Sequence, residues 1–165
     1  MNYTLIVPFY NEEKNIPSFN TELINNLKKI DNGKRSFEII YIDDGSSDET
    51  FNELKKLNTN SFETLIIKHR NNLSQSAAIN TGLIQSKYEN IVIMDGDLQN
   101  DPGDLSKMIS EFEKGTDMLI GWRKQRKDNF FSRTLPSIIA NFIVRLFSES
   151  KVHDHGCAFK IFKKK

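Results

Sequence analysis

The sequence contains one cysteine, Cys157, among its 165 residues, so no disulfide can form within the chain. A lone thiol fits a reducing compartment. No stretch approaches the ~20 consecutive apolar residues that a membrane-spanning helix needs. A secretory signal is also missing, because the first apolar run ends at Pro8 and acidic residues follow it. We therefore expect a cytoplasmic chain that does not span a bilayer.

Two common nucleotide-binding motifs are absent. No GxGxxG follows the first apolar run, which disfavours a dinucleotide-binding enzyme, and the absence of GxxxxGK[ST] disfavours a P-loop NTPase. A nucleic-acid role is disfavoured because the aromatic residues near the C-terminus are phenylalanines in an apolar stripe. Nucleic-acid binding uses exposed stacking platforms interleaved with basic residues. We expect no nucleic-acid partner, and the sequence leaves the oligomeric state open.

The composition, with 38% hydrophobic and 27% charged residues, is that of an ordinary globular chain. Its length suits one core, so we expect a single domain over residues 1–165. The charges are unevenly distributed: residues 1–120 hold 12 Lys or Arg against 19 Asp or Glu, whereas residues 121–165 hold 11 against 3. A basic C-terminal part of this kind is suited to an anionic partner.

Five short runs rich in Ile, Val, Leu and aromatic residues have the character of strands buried on both faces. They are residues 3–8, 37–43, 64–68, 90–95 and 117–121. Segments with helical spacing lie mainly between them, at 12–30, 48–57, 74–86 and 102–114. Strands that alternate with helices predict an α/β fold with a mostly parallel sheet flanked by helices.

The pattern changes after Gly121. Residues 122–150 are first basic and then strongly apolar, with aromatic and aliphatic residues beside Arg126, Arg133 and Arg145. One interpretation is a helix packed on the sheet. The other, which we adopt as the prediction, is a C-terminal amphipathic helix at a membrane interface. The chain thus divides into a core, 1–121, and a basic and apolar segment, 122–165.

Polar residues follow three of the predicted strands directly, in "VPFYNEE", "IDDGSSD" and "MDGDLQ". Ligands bind outside the carboxyl ends of the strands in open α/β sheets, so these motifs should converge on one rim. Asp95 and Asp97 could both face one hard cation, for which Mg²⁺ or Mn²⁺ is suited, or they could merely form a turn. Likewise, Asp43 and Asp44 could cap a helix or accept hydrogen bonds from a nucleobase or ribose.

A zinc site is a further alternative. His153, His155 and Cys157 alternate along the chain and would face one way on a strand. A structural zinc site needs four ligands, and no fourth ligand is evident in the sequence. We therefore disfavour zinc.

Six motifs together resemble those of family 2 glycosyltransferases with the GT-A (Rossmann-like) fold. In order, they are "IVPFYNEEKNI", "EIIYIDDGSSDET", "NNLSQSAAINTGL", "IVIMDGDLQNDP", "LIGWRKQRKD" and "VHDHGCAFKIFKK". The chain is most similar to the subgroup that includes dolichyl-phosphate mannose synthases and bactoprenol glycosyltransferases. The resemblance implies inverting, metal-dependent transfer of a sugar from a GDP- or UDP-sugar to a polyprenyl phosphate.

The resemblance also implies roles for particular residues of the predicted core. Pro8, Tyr10 and Glu12 match the loop that contacts the nucleotide. Asp43 and Asp44 match the pair that holds the base and the ribose. Asp95, Asp97 and Gln99 match the site that holds Mg²⁺ or Mn²⁺ and the diphosphate. Asp97 is also implied to be catalytic.

Basic and acidic residues of the C-terminal segment complete the implied active site. Arg123 and Arg126 match residues that meet the donor diphosphate or the acceptor phosphate, and Arg133 is a weaker match. Asp154 matches an active-site aspartate. It would act as a base if the acceptor is a sugar hydroxyl, and would orient groups if the acceptor is a lipid phosphate, which is already an anion.

Two departures from the family pattern bear on function. Ser74 stands where the subgroup commonly has glycine, and the chain ends at Lys165, where relatives usually continue. The chain is then either a C-terminally truncated fragment, which we expect, or a minimal enzyme, and we expect it to act peripherally at the cytoplasmic face of a membrane. A glycosyltransferase with a sugar-hydroxyl acceptor in glycan synthesis and a noncatalytic nucleotide-sugar-binding module remain the alternatives.

Overall fold

A computed structural model describes residues 1–31, 33–121 and 157–164. Its strands are β1 (Asn2–Phe9), β2 (Ser36–Asp43), β3 (Glu63–Lys68), β4 (Asn90–Ile93), β5 (Met118–Ile120) and β6 (Lys160–Lys163). Its helices are α1 (Ile16–Ile30), α2 (Thr50–Lys56), α3 (Gln75–Gln85) and α4 (Leu105–Phe112), the last preceded by a 3₁₀ turn over Pro102–Asp104. The predicted alternation of strands and helices is confirmed.

The strands form one six-stranded sheet in the order β3-β2-β1-β4-β6-β5. β1 pairs in parallel with β2 and β4, and β2 pairs in parallel with β3. β6 enters between β4 and β5 and runs antiparallel to both. The predicted mostly parallel sheet is therefore confirmed, whereas the strand β6 was not predicted from the sequence.

The central strands are buried on both faces, as their unbroken apolar runs predict. Leu5 and Val7 face the core that includes α1 and α4, while Ile6 faces a second apolar cluster that includes Ala78 of α3. At Gly82 of α3, an added Cβ would lie 2.5 Å from Cγ2 of Ile6. Glycine therefore permits α3 to lie close against β1.

The four α-helices named above all begin later than predicted, and the largest difference is at α1. α1 begins at Ile16 and not near Glu12, because the preceding residues form a loop that bonds to the loop after β2. The fourth helix begins as a 3₁₀ turn at Pro102, where Asp101 accepts a hydrogen bond from the Gly103 N–H. Asp101 thus caps this turn, and proline occupies a tolerated first-turn position.

The parallel strands carry their following loops to one edge of the sheet. Phe9 at the end of β1 is in register with Asp43 at the end of β2, and Ile6 of β1 is in register with Ile93 at the end of β4. The loops after β1, β2 and β4 therefore meet at the carboxyl edge.

The predicted amphipathic helix of residues 122–150 lies outside the described residues. Within the described parts of the chain, no helix combines the length and the apolar character needed to cross a membrane.

Candidate functional site

An open pocket of about 260 Å³ lies at the carboxyl edge of the sheet. Its lining residues are Pro8, Phe9, Tyr10, Glu12, Asp44, Asn72, Ser74, Gln75, Asp95, Gly96 and Asp97. These residues come from the end of β1, from the loops after β1, β2, β3 and β4, and from the first residue of α3. Carboxylates are frequent in this lining, and none of its described residues is Lys or Arg. The pocket is therefore acidic and rich in oxygen ligands.

Most of the residues predicted for donor and metal binding meet in this pocket. Its lining includes Pro8, Tyr10, Glu12, Asp44, Asp95 and Asp97. Asp43 is fully buried and does not line the pocket, and Gln99 is exposed next to Asp97. The three strand ends thus converge on one rim, as predicted. The binding roles of the individual side chains stay predictions.

The loop after β1 is fixed by the loop after β2. The Asn11 N–H donates to Ser46 Oγ at 2.9 Å, and Asn11 Oδ1 accepts from the Ser47 N–H at 2.9 Å. The Glu12 N–H donates to Thr50 Oγ1 at 2.8 Å. Asn11 has a φ of +55°, a conformation that asparagine adopts more readily than most residues. These contacts hold Tyr10 and Glu12 at the pocket.

The environment of Glu12 raises the pKa of its carboxyl. Burial is the largest cause, and the negative charges of Asp97 and Asp48 add to it. A hydrogen bond of 2.5 Å from Asn15 Nδ2 to Glu12 Oε2 opposes the shift. The repulsion between Glu12 and Asp97 shows that the pocket concentrates negative charge, which a bound cation would relieve.

Asp43 and Asp44 are adjacent in sequence but have different surroundings. Asp43 Oδ1 accepts from the Ser46 N–H at 2.9 Å, whereas its Oδ2 is 3.8 Å from Lys68 Nζ. That Oδ2 atom is buried and has no hydrogen-bond partner within the described part of the chain. Asp44 lines the pocket and accepts hydrogen bonds from the backbone of the loop after β3. Of the pair, Asp44 is therefore the one positioned to contact a ligand.

The glycine of "DDG" is required by a close approach of two loops. Gly45 has a φ of +71°, and an added Cβ would lie 2.2 Å from the backbone carbon of Asn71. No side chain fits there. The loop after β2 and the loop after β3 can therefore pack backbone against backbone beside the pocket.

The "DGD" turn after β4 places two carboxylates in the pocket. An added Cβ at Gly96 would lie 2.0 Å from the Phe9 ring, so glycine lets this turn lie against β1. Gln75 Nε2 donates a hydrogen bond to Asp95 Oδ1. The Gln99 N–H donates to Asp97 Oδ1 at 3.0 Å. Gln99 thus contacts Asp97 through its backbone.

The acidic side chains of the pocket suit one of the two common ways of binding a divalent cation. In the part of the chain that the structure describes, no group of three or more His, Cys, Asp or Glu side chains could hold a metal ion. Mg²⁺ and Mn²⁺ commonly bind through one or two carboxylates together with substrate phosphates and water. Asp95 and Asp97 in one acidic pocket fit that second mode.

Three polar residues of the pocket were not predicted: Asn72, Ser74 and Gln75. They belong to the "NNLSQSAAINTGL" motif, to which the sequence analysis assigned no role. Ser74 has a φ of +101°, which explains why glycine is the expected residue there. That departure from glycine was the one signal in the sequence that this turn has an unusual backbone.

The remaining predicted residues lie outside the described residues: Arg123, Arg126, Arg133, His153, Asp154 and His155. Cys157, the third member of the disfavoured zinc group, is described. It is buried, and its thiol donates to Asn100 Oδ1 at 3.6 Å.

Comparison with known sequences shows one family. Residues 4–165 match the family described as Glycosyl transferase family 2. The dodecaprenyl-phosphate galacturonate synthase of Rhizobium johnstonii is 36% identical over 165 residues, which are 99% of this chain and 48% of that protein. The undecaprenyl-phosphate 4-deoxy-4-formamido-L-arabinose transferase of Proteus mirabilis is 28% identical, over 98% of this chain and 48% of that protein. The chain thus spans about half the length of these curated relatives.

Solved structures show a similar fold. The S. aureus TarS 1-349 structure is 25% identical with a TM-score of 0.63, over 99% of this chain and 47% of that chain. The mannosyltransferase PcManGT from Pyrobaculum calidifontis, in complex with GDP-Man and Mn²⁺, is 25% identical with a TM-score of 0.51. That match covers 65% of this chain and 31% of the other.

Proposed function

The chain belongs to glycosyl transferase family 2 and has the GT-A fold, and from this premise we propose that it transfers a sugar, with inversion, from a nucleotide-diphosphate sugar to a polyprenyl phosphate. The observation that carries the proposal is the acidic pocket at the carboxyl edge, where Glu12, Asp44, Asp95 and Asp97 come together. The names of the Rhizobium and Proteus relatives support a polyprenyl-phosphate acceptor.

The donor would occupy the pocket, with its nucleotide toward Pro8, Tyr10 and Asp44 and its diphosphate toward Asp95 and Asp97. Asp95 and Asp97 would hold Mg²⁺ or Mn²⁺ there, and the Mn²⁺ with GDP-Man in the Pyrobaculum structure supports this assignment. When bound, the cation would supply Lewis-acid neutralisation of the charge that develops on the leaving diphosphate.

The chain's own residues would orient the reactants. Asp44 is fixed by backbone hydrogen bonds from Leu73 and Ser74, so its position does not depend on ligand. Asp95 is held by Gln75 and Asp97 by the Gln99 N–H. A pocket whose acceptor atoms are already oriented loses little conformational entropy when the donor binds.

The acceptor phosphate would be met by the basic C-terminal segment. We assign to Arg123 and Arg126 the stabilisation of donor and acceptor phosphates through charge-assisted hydrogen bonds. A phosphate monoester is an anion at neutral pH, so no general base is needed to activate it. Asp154 would then orient groups and not abstract a proton.

The lipid acceptor also implies a place for the protein in the cell. We propose that residues 122–150 contact the cytoplasmic face of a membrane, because they combine basic with aromatic and aliphatic residues. Each Lys or Arg near an anionic leaflet contributes roughly 1 kcal/mol of attraction. Co-sedimentation with anionic vesicles at low salt, and its loss at high salt, would support this contact.

The test is a transfer assay with radiolabelled GDP- and UDP-sugars, a short polyprenyl phosphate and Mn²⁺, with EDTA as the control. Metal-dependent label in the lipid fraction supports the proposal. Transfer only to a sugar hydroxyl would show that the acceptor is not a polyprenyl phosphate. In that case Asp154→Asn should abolish turnover while donor binding persists. Donor binding without transfer to any acceptor would identify a noncatalytic binding module.

A further inference from the structure

His69 is a partly buried histidine beside the pocket, and it has no role in the function proposed above. It follows β3 directly, and only 10% of its side chain is exposed. Its Nδ1 lies 2.7 Å from Asp44 Oδ1, and its Nε2 lies 2.9 Å from Thr81 Oγ1 on α3. The imidazole therefore bridges the pocket aspartate and the helix whose first turn lines the pocket.

The partners of the ring define a consistent arrangement of protons. An ionised carboxylate can only accept hydrogen bonds, so the neutral imidazole carries its proton on Nδ1 and donates it to Asp44. Nε2 is then an acceptor, and the Thr81 hydroxyl donates to it. These hydrogen bonds satisfy the carboxylate, the ring and the hydroxyl.

An aspartate, a histidine and a hydroxyl in series also occur in nucleophilic triads, but this arrangement does not serve that purpose. Thr81 lies in the second half of α3 and is not among the residues that line the pocket. A nucleophile must reach the reacting atom. The series therefore acts through Asp44, which does line the pocket.

Asp44 transmits the position of the ring to the start of α3. Its Oδ1 also accepts from the Leu73 N–H at 3.1 Å, and its Oδ2 accepts from the Ser74 N–H at 3.0 Å. Ser74 is held in a positive-φ conformation, and the next residue, Gln75, bonds to Asp95. One set of hydrogen bonds thus connects His69 to both carboxylate sites of the pocket.

We infer that His69 is a positioning residue for the donor pocket: through its Nδ1–H it fixes the Asp44 carboxylate and, with it, the 73–75 turn that carries Gln75 to Asp95. The inference rests on the proposed function, because it takes the nucleotide sugar as the ligand of that pocket. His69 touches no reacting group in this account, so its loss should weaken donor binding and leave the chemical step largely intact.

Two conservative variants distinguish the contact of Nδ1 with Asp44 from the contact of Nε2 with Thr81. The side-chain amide of His69→Asn can occupy the place of Nδ1 and donate to Asp44, whereas the longer His69→Gln side chain places its amide near Nε2, toward Thr81. We expect His69→Gln and His69→Ala to raise the dissociation constant for the nucleotide sugar roughly tenfold, because a hydrogen bond to a charged group is lost. His69→Asn should stay within about threefold of the wild type on the same scale.

Steady-state kinetics provide the second readout. KM for the donor should rise with the dissociation constant while kcat changes less than about twofold, since His69 acts on binding through Asp44. Thermal midpoints of all three variants serve as the control for folding. A fall in affinity that simply follows the fall in midpoint, equally in Asn and Gln variants, would overturn the inference in favour of a purely structural histidine.

Backbone amide exchange tests the same claim without any donor. In His69→Gln, exchange of the Leu73 and Ser74 N–H groups should accelerate relative to His69→Asn, because Asp44 then loses its third hydrogen bond and is held only by these two N–H groups. Unchanged exchange in both variants, or affinity retained by Gln and lost by Asn, contradicts the inference. If the wild-type protein binds no nucleotide sugar, the proposed function fails, and the exchange comparison still decides whether His69 positions this turn.

Discussion

The carboxylates at the two edges of the sheet have opposite electrostatic surroundings. At the amino edge, Glu113 accepts hydrogen bonds from Arg35 Nε at 2.8 Å and Nη2 at 2.6 Å and from Tyr3 Oη at 3.0 Å. At the carboxyl edge, Glu12 and Asp97 repel each other in a pocket whose described lining contains no Lys or Arg. The charges of Glu113 and Arg35 at the amino edge thus neutralise each other, whereas the pocket carboxylates at the carboxyl edge have no Lys or Arg among the described lining residues.

Backbone strain follows the same division. The non-glycine residues with positive φ among those the structure describes are Asn11, Ser74 and Leu98. All three lie in loops at the carboxyl edge. Strained conformations persist where surrounding contacts determine them, and they are concentrated at functional sites. Paired charges therefore lie at the amino edge, whereas the strained backbone and the pocket carboxylates lie at the carboxyl edge.

The largest expected effect is a loss of activity from a substitution at the carboxyl edge. Asp97→Asn removes one of the two carboxylates assigned to the cation, so we expect metal-dependent turnover to fall by roughly 100-fold or more. The free energy of unfolding should stay unchanged or increase, because the repulsion with Glu12 is relieved. Calorimetry of Mn²⁺-dependent donor binding, beside a thermal melt, measures both. Full metal-dependent binding in this variant would remove Asp97 from the proposed site.

The next effect is on stability. Arg35→Ala leaves Glu113 with Tyr3 as its remaining partner in a half-buried position, and we expect it to lower the free energy of unfolding by about 2 kcal/mol. Donor affinity should not change, because Arg35 is at the opposite edge from the pocket. Denaturant unfolding and the binding assay are both required. A large loss of affinity at unchanged stability would show that the two edges do not divide the roles as stated.

A smaller effect is the pH dependence, which should have opposite signs at the two edges. The Arg35 guanidinium and the Tyr3 hydroxyl hold the pKa of Glu113 below its usual 4.5. The stabilisation from Glu113 is therefore present above pH 4.5 and is lost as the pH falls through the lowered pKa.

Glu12 should act in the other direction. Its pKa is raised above 4.5, so its favourable contribution is present below that pH and is lost as the pH rises through the raised value. Glu12→Gln should therefore stabilise the protein at pH 7, and Glu113→Gln should destabilise it. Urea unfolding of both variants at pH 4 and pH 7 checks the signs. The same sign for both would refute the contrast.

Much of this division could be predicted from the sequence. The apolar runs located β1 to β4 closely, since strands buried on both faces contain few polar residues. The polar residues that follow those runs predicted that the loops carrying Glu12, Asp44, Asp95 and Asp97 meet at one edge, because parallel strands end there. Glu12 itself was singled out only by the family resemblance.

The other features depend on contacts between distant parts of the chain. β6 pairs with β4 although about 70 residues separate them, and its four residues give too short a pattern to predict a strand. The bonds of His69 to Asp44 and of Gln75 to Asp95 join different loops, so no spacing rule indicates them. Which of Asp43 and Asp44 faces the pocket depended on where β2 ends.

The smallest effect concerns the strain at the carboxyl edge. Ser74 has a φ of +101°, a conformation that costs a non-glycine residue about 1 kcal/mol or more. Ser74→Gly removes that strain but loses the Ser74 Oγ acceptor of the Ala77 N–H and makes the unfolded chain more flexible. These losses nearly offset the gain, so we expect stability to change by less than about 1 kcal/mol, toward stabilisation. Because the Ser74 N–H that Asp44 binds is retained, donor affinity should stay at the wild-type level.

Ser74→Ala is the matched control, since it keeps the strain and loses the hydroxyl. Chemical denaturation should show the alanine variant to be less stable than both the wild type and the glycine variant. Equal stability of the glycine and alanine variants would mean that the turn stores no strain, and the backbone contrast between the edges would then not hold at this position.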